Sequence, residues 1–177
     1  ERWEMKSEAM TPTRCAVLVG LAIWCAIGCA GPTRPRVPAI PPGEPTAEEL
    51  SAAPEQVDLA GRRLVLQTYL WRDFMPISPP DGGPLIAVVR IVDADSTSIP
   101  PGLSAERLWV INDGRTWATA FSDEPTAPTP GYVLQRIARD GPRWGPGIRV
   151  AVVVGLRIGS GDLHLLRAAD QWIARTD

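Results

Sequence analysis

The sequence predicts an all-β fold: an antiparallel β-sandwich of six to seven strands that occupies residues 56–177. Two observations predict this fold. Short alternating apolar runs recur at regular spacing, and Gly- and Pro-rich turns separate them without intervening helical patterns. The 177-residue chain contains 19 Pro and 16 Gly, which favour turns and short strands over long helices. Its 45% hydrophobic and 21% charged residues are typical of a globular protein.

The strands can be placed in order along the chain. In residues 63–72, alternation puts four side chains on one face (Leu64, Leu66, Thr68, Leu70) and four on the other (Val65, Gln67, Tyr69, Trp71). Further strands are predicted at 85–92, 107–111, 115–121, 149–157 and 162–167, with an edge segment at 171–175. Asp113-Gly114 is a strong hairpin signal. Residues 132–139 fit either a strand or a short helix.

The predicted domain resembles immunoglobulin-like β-sandwiches in its size and in having a tryptophan, Trp109, on its third strand. The cysteine pair and the tyrosine corner of that family are missing, so the resemblance covers the architecture alone. A small closed barrel is the alternative arrangement of the same strands.

The N-terminal region contains an apolar run, residues 15–28, that ends at Ala26-Ile27-Gly28-Cys29. The run has the length of a signal-peptide core and is shorter than the roughly 20 residues that span a bilayer. It resembles a bacterial lipoprotein signal with its lipobox. The resemblance implies cleavage before Cys29, lipids on that residue, and, because Ala30 is not Asp, an outer-membrane location facing the periplasm. A buried core helix or a plain membrane anchor is the alternative interpretation.

Three segments follow from these patterns. Residues 1–28 comprise upstream residues and the signal helix, with 1–9 expected to be upstream translated sequence or a cloning remnant before Met10. Residues 29–55 comprise the lipidated cysteine and a disordered, proline-rich tether, within which Thr46 and Glu49 form a capping box for one helical turn. Residues 56–177 are the sandwich domain.

Composition argues against several classes of function. The net charge of −2 gives no general attraction to nucleic acid, so no nucleic-acid partner is expected. All three cysteines lie in or at the end of the apolar run, and beyond it there is one histidine, His164, and no lysine. The chain beyond the run therefore contains few of the side chains from which a nucleophile–base pair is built, and no catalytic residue or cofactor is predicted. Asp93, Asp95 and Thr97 alternate in a loop but lack the remaining calcium-ligand pattern, so no metal is predicted.

The predicted binding surface comes from topology. If successive strands reverse direction, the connections at 74–84, 113–114 and 140–147 share one end of the sandwich. That end would collect the aromatic, methionine and arginine side chains enriched at recognition hot spots: Trp71, Arg72, Phe74, Met75, Arg143 and Trp144. The alternative is that Trp71, Phe74 and Trp144 plug the open end of the core.

These observations predict a lipid-anchored envelope protein whose domain is a non-enzymatic module that binds a protein or an envelope polymer. One alternative is an envelope enzyme that uses carboxylates drawn from Asp73, Asp81, Asp123 and Glu124. The other is a structural or assembly subunit of an envelope complex. Exposed aromatics at the loop end would indicate binding, converging acids would indicate the enzyme, and a large apolar patch on a sheet face would indicate the subunit.

Overall fold

The computed structural model of the chain describes residues 43–177. The predicted signal peptide, Cys29 and the tether as far as residue 42 lie outside the described residues. The described part contains one helix and eight strands: α1 (Ala47–Ala52), β1 (Gln56–Leu59), β2 (Arg62–Asp73), β3 (Leu85–Asp93), β4 (Leu103–Asn112), β5 (Arg115–Ala120), β6 (Val133–Gly141), β7 (Arg149–Ile158) and β8 (His164–Thr176). The all-β prediction is confirmed, and the ambiguous segment at 132–139 belongs to a strand, β6.

The strands form one sheet in the order β5-β4-β7-β8-β2-β3-β6, and β1 pairs with β2. Six of the seven pairings are antiparallel, but β2 and β8 run parallel through Leu70↔Ile173 to Asp73↔Thr176, so the prediction of a purely antiparallel arrangement is wrong. The physical reason is an irregularity in β8. Asp170 adopts a positive φ of 57°, and the β7–β8 register shifts between Val150 and Val152. Such a bulge bends the strand that carries it. Gln171 and Trp172 still pair with β7 beyond the bulge, and from Ile173 onward β8 pairs with β2.

The sheet curls so that its two halves face each other across one core. One half supplies buried side chains from β2 and β3 and the other from β4 and β7: Leu64, Leu70, Val89, Ile91, Leu108, Val110, Val152 and Val154. The two edge strands of the sheet, β5 and β6, also approach each other: the N–H of Ser122, just after β5, donates to the carbonyl of Ile137 in β6 at 2.8 Å. The core is therefore enclosed by strands from both halves.

Helix α1 covers the outer side of the β4–β7 half. Thr46 and Glu49 form the predicted capping box, in which each side chain accepts a hydrogen bond from the other residue's backbone N–H. Leu50 and Ala53 are buried in a second cluster with Trp109, Val153 and Leu165. The predicted division between tether and domain, at residues 55 and 56, thus falls after a helix that packs on the sheet. None of the helical structure in residues 43–177 has the length and apolar character needed to cross a bilayer.

The β3–β4 loop is organised by a buried carboxylate, that of Asp93. Its Oδ1 accepts from the Asp95 N–H, and its Oδ2 accepts from the N–H groups of Thr97 and Ser98, at 3.1–3.2 Å. Burial acts to raise the pKa of Asp93, but these three donors, together with the charge of Arg62, lower it below its ordinary value. The candidate metal-ligating loop is therefore a turn that is closed by its own backbone donors.

Asp93→Asn is expected to make the free energy of unfolding depend less on pH in the acidic range. Because the folded-state pKa lies below the unfolded value of about 3.9, the ionised form stabilises the fold above that pH. This contribution is lost as pH falls through the lowered pKa. Urea unfolding of both proteins at several pH values between 2 and 7 measures it. The difference in the free energy of unfolding between wild type and variant should become smaller as the pH falls. A difference that stays the same at every pH would contradict the stabilising role of the ionised Asp93.

Candidate functional site

The three predicted connections do meet at one end of the fold, and Arg72 joins two of them. Its Nε donates to the Gly83 carbonyl at 2.9 Å and one terminal nitrogen donates to the Asp81 carbonyl, both in the β2–β3 loop. The other terminal nitrogen donates to the carbonyls of Arg143 and Gly145, at 3.3 and 2.6 Å, in the β6–β7 loop. The third connection, the β4–β5 hairpin, is placed there by Arg115, whose guanidinium lies 5.2 Å from the centre of the Trp144 ring.

The prediction that Arg72 belongs to an exposed binding surface is wrong. The residue is 3% exposed, and its guanidinium is used to hold backbone carbonyls. Burial, and next the neighbouring charge of Arg143, lower the pKa of Arg72 from its usual high value, while Asp81 opposes them. A guanidinium remains charged even so. Arg72 is therefore a structural link between two loops.

Phe74 and Met75 follow Arg72 into the β2–β3 loop. The centre of the Phe74 ring lies close to two guanidinium groups, 5.1 Å from that of Arg72 and 4.1 Å from that of Arg175. It also covers Gly82, where a Cβ atom would lie 2.5 Å from the ring. Met75 is 46% exposed and Ile77, which lies outside the predicted binding surface, is 91% exposed. The loop thus offers two separate apolar side chains to solvent.

Arg143 and Trp144 have different surroundings, although they are adjacent. The exposed Arg143 forms an ion pair with Asp81 across the two loops. Trp144 is half-buried and packs against the main core, as the plug interpretation expects for this residue. Trp144 and Arg72 therefore close this end of the core, and only Met75 and Arg143 of the predicted set present substantial exposed area there.

Trp71 points elsewhere, to the outer face of the sheet. It stacks on Tyr69 with ring centres 5.0 Å apart and an interplanar angle of 28°. The neighbouring pair Leu70↔Ile173 points into the core, so Trp172 on β8 faces outward beside Tyr69. Tyr69 is 54% and Trp172 is 53% exposed. We call Tyr69, Trp71 and Trp172 the aromatic face.

Polar and aliphatic side chains extend this face across β3 and β6. Tyr69 pairs with Val88 and Val88 pairs with Ile137, which continues an apolar row across the sheet. Next to it, Gln67 pairs with Arg90 and Arg90 pairs with Gln135, which makes a parallel polar row. A groove of about 360 Å³ lies between them, lined by Gln67, Thr68, Tyr69, Val88, Arg90 and Gln135.

The two outer faces of the curled sheet differ in what covers them. Helix α1 buries Trp109 on the β4–β7 half, whereas within residues 43–177 the aromatic face keeps more than half of Tyr69 and Trp172 exposed. Alternation in β2 predicted that Tyr69 and Trp71 share one face of the strand, without deciding whether that face is the outer one. It could not bring Trp172 next to them, because that requires the parallel β2–β8 pairing.

Three of the four carboxylates considered for catalysis have partners in the structure, and the imidazole of His164 is partly buried. Asp81 pairs with Arg143 and Glu124 with Arg139, and the Asp73 carboxylate accepts from the Met75 N–H at 2.9 Å. Burial lowers the pKa of His164, and its buried Nδ1 has no hydrogen-bond partner in the described part of the chain. No group of three potential metal-ligating side chains occurs within residues 43–177.

Comparisons with protein-family models, with curated proteins and with solved structures find no match to this chain.

Proposed function

We propose that this chain is a lipid-anchored cell-envelope protein whose β domain is a non-enzymatic binding module for an envelope polymer. The observation that carries the proposal is the uncovered aromatic face beside a polar groove. Two stacked aromatic rings and a third on the neighbouring strand make a firm, nearly continuous platform. Such rings contribute large contact area at a small cost in side-chain entropy.

The side chains of this face are better suited to binding a polymer than to catalysing a reaction. The apolar row offers flat ring faces, on which the C–H groups of a sugar ring can stack. The polar row offers the amides of Gln67 and Gln135, each able to donate to and accept from hydroxyl groups. A face that combines apolar contact with a few directed polar groups is typical of ligand sites.

Trp71→Ala combined with Trp172→Ala is expected to weaken polymer binding at least tenfold, equivalent to about 1.4 kcal/mol, since aromatic anchors dominate binding energies. Affinity electrophoresis of the full chain in detergent, in gels containing neutral or acidic polysaccharides, measures the change. Ile77→Ser removes an exposed apolar side chain at the loop end and serves as the control. Equal retardation of the double variant and wild type would refute the assignment of the face.

A second candidate is an assembly subunit, favoured by the apolar row of Trp172, Tyr69, Val88 and Ile137 across four strands. Under this alternative the face binds protein, and wild type but not Tyr69→Ala would self-associate or join a complex. Sedimentation velocity over a hundredfold range of concentration tests self-association. A monomer that binds polysaccharide supports the binding module.

The anchoring part of the proposal rests on the sequence 26–29. Cys29→Ser is expected to leave an uncleaved, unlipidated precursor, because the lipobox resemblance requires the thiol as the acceptor of the first lipid. Metabolic labelling with a palmitate analogue in a bacterial host measures this, with Cys25→Ser as the matched control. Unchanged labelling of the Cys29 variant would contradict the anchor and leave the binding face unaffected.

A further inference from the structure

Arg90 presents an unbalanced positive charge at the groove. Seven of the thirteen arginines in residues 43–177 pair with a carboxylate within 4.0 Å, and Arg90 is among the six that do not. It is the only charged residue among those that line the groove. Its Nε instead donates to the neutral Gln135 side chain, to Oε1 at 2.7 Å. That bond orients the guanidinium along the groove wall. Its terminal N–H groups have no hydrogen-bond partner in the described part, so they can form a bidentate pair with an incoming anion.

The groove must recognise its ligand through side chains. Its floor is the β2–β3–β6 part of the sheet, in which the strands pair without interruption from Gln67↔Arg90 to Tyr69↔Val88 and from Arg90↔Gln135 to Val88↔Ile137. Backbone donors and acceptors of the floor are therefore used within the sheet. An extended peptide could not add to this surface as another strand, because strand addition needs a free sheet edge.

Tyr69 and Arg90 lie close enough together for one ligand to contact both. Arg90 is the diagonal neighbour of Tyr69, since Tyr69 pairs with Val88 and Arg90 lies two residues further along the same face. Diagonal neighbours lie about 7–8 Å apart, with their Cβ atoms somewhat closer, which is within reach of aromatic and long side chains. A sugar ring that stacks on Tyr69 can therefore extend a carboxylate to Arg90, while Gln67 and Gln135 reach its hydroxyls.

We propose that the groove binds a carboxylate-bearing sugar unit of an acidic polysaccharide, with Arg90 pairing the carboxylate and Tyr69 stacking on the ring. This inference rests on the binding function proposed above and specifies its ligand class. An apolar protein surface on this face would leave the Arg90 charge buried without a counter-charge, which is costly. A nucleic acid would need several cationic contacts to its phosphates, and the groove lining supplies one cation in a chain of net charge −2.

The test compares oligogalacturonate with its methyl ester, which has the same sugar backbone without the charge. Titration calorimetry of the full chain in detergent should show at least tenfold tighter binding of the acid at low salt. Arg90→Gln should remove that preference and leave the affinity for the ester within twofold of the wild-type value. Arg63→Gln is the matched control, because it removes an arginine from the outward-facing side of the same sheet, where Arg63 already pairs with Asp95. This control should keep most of the acid preference.

The outcomes separate this inference from the broader proposal. Equal binding of acid and ester, or an unchanged preference in Arg90→Gln, overturns the carboxylate site and leaves the binding module intact if Trp71→Ala with Trp172→Ala still lowers affinity. No dependence on those two tryptophans overturns both. Concentration-dependent dimers that Tyr69→Ala abolishes would assign the face to a second copy of the chain and overturn the glycan site. Raising the salt concentration should reduce binding of the acid and not of the ester.

Discussion

Arg72→Met is expected to lower the free energy of unfolding by about 3 kcal/mol. The substitution keeps an unbranched side chain of similar length and removes the donors that bind the carbonyls of Asp81, Gly83, Arg143 and Gly145. Each such hydrogen bond contributes about 1 kcal/mol net, and an unsatisfied buried carbonyl costs about as much again. Removing a buried charge returns part of this loss, because its desolvation no longer opposes folding.

Guanidinium chloride unfolding, followed by far-ultraviolet circular dichroism, measures the change in stability. Arg175→Met is the control: Arg175 also contacts the Phe74 ring, is half exposed, and donates to the carboxylate of Asp177. It should cost about 1 kcal/mol or less, because it removes one exposed ion pair and one exposed cation–π contact. Arg72→Lys should recover part of the loss, since one ammonium group can reach only some of the carbonyls. Equal effects of Arg72→Met and Arg175→Met would show that the link between the loops does not stabilise the fold.

Gly141→Ala is expected to destabilise the fold by about 2 kcal/mol through overpacking. A Cβ atom at this position would lie 2.7 Å from the Trp117 ring and 2.9 Å from the Leu85 Cβ, where β6 and β5 approach each other. Leu85 is buried, and its Cβ cannot move without its backbone, so the Trp117 ring has to shift. That movement would open the contact that closes the curled sheet.

Gly131→Ala is the matched control, because a Cβ there meets nothing within 4 Å. Its unfolding midpoint should equal that of wild type within error, or lie slightly higher through reduced freedom of the unfolded chain. A second test combines Gly141→Ala with Trp117→Leu: the double variant should lose less stability than the sum of the two single changes, because the smaller side chain makes room. Strict additivity would show that the two residues do not meet.

Local patterns predicted most of the strands and the alternation in β2. Alternation separated the buried Leu64 and Leu70 from the exposed Tyr69, and the Asp113-Gly114 signal falls in the β4–β5 hairpin. These features depend on residues close together in the chain, where side-chain direction follows from the strand period. The capping box at Thr46 was predictable for the same reason.

The loop-end site shows where sequence patterns were insufficient. They collected Arg72 and Trp71 at one end because the residues are adjacent, yet adjacent strand residues point to opposite faces of a sheet. Arg72 consequently points inward to the two loops, while Trp71 joins Tyr69 outside. Hot-spot composition predicted the right kinds of side chain, but it did not distinguish a buried structural arginine from an exposed ligand-binding one.

The sequence by itself determined the fold class, the positions of most strands and the alternation in β2, because these depend on near neighbours in the chain. Only the tertiary structure decided which outer face stays uncovered. That face exists because β8 bends at Asp170 and pairs in parallel with β2, which brings Trp172 beside Tyr69 across a separation of more than a hundred residues. The antiparallel pairing of β3 with β6 places Gln135 against Arg90. Pairings at that separation depend on the summed packing of the whole core, and no local pattern encodes them.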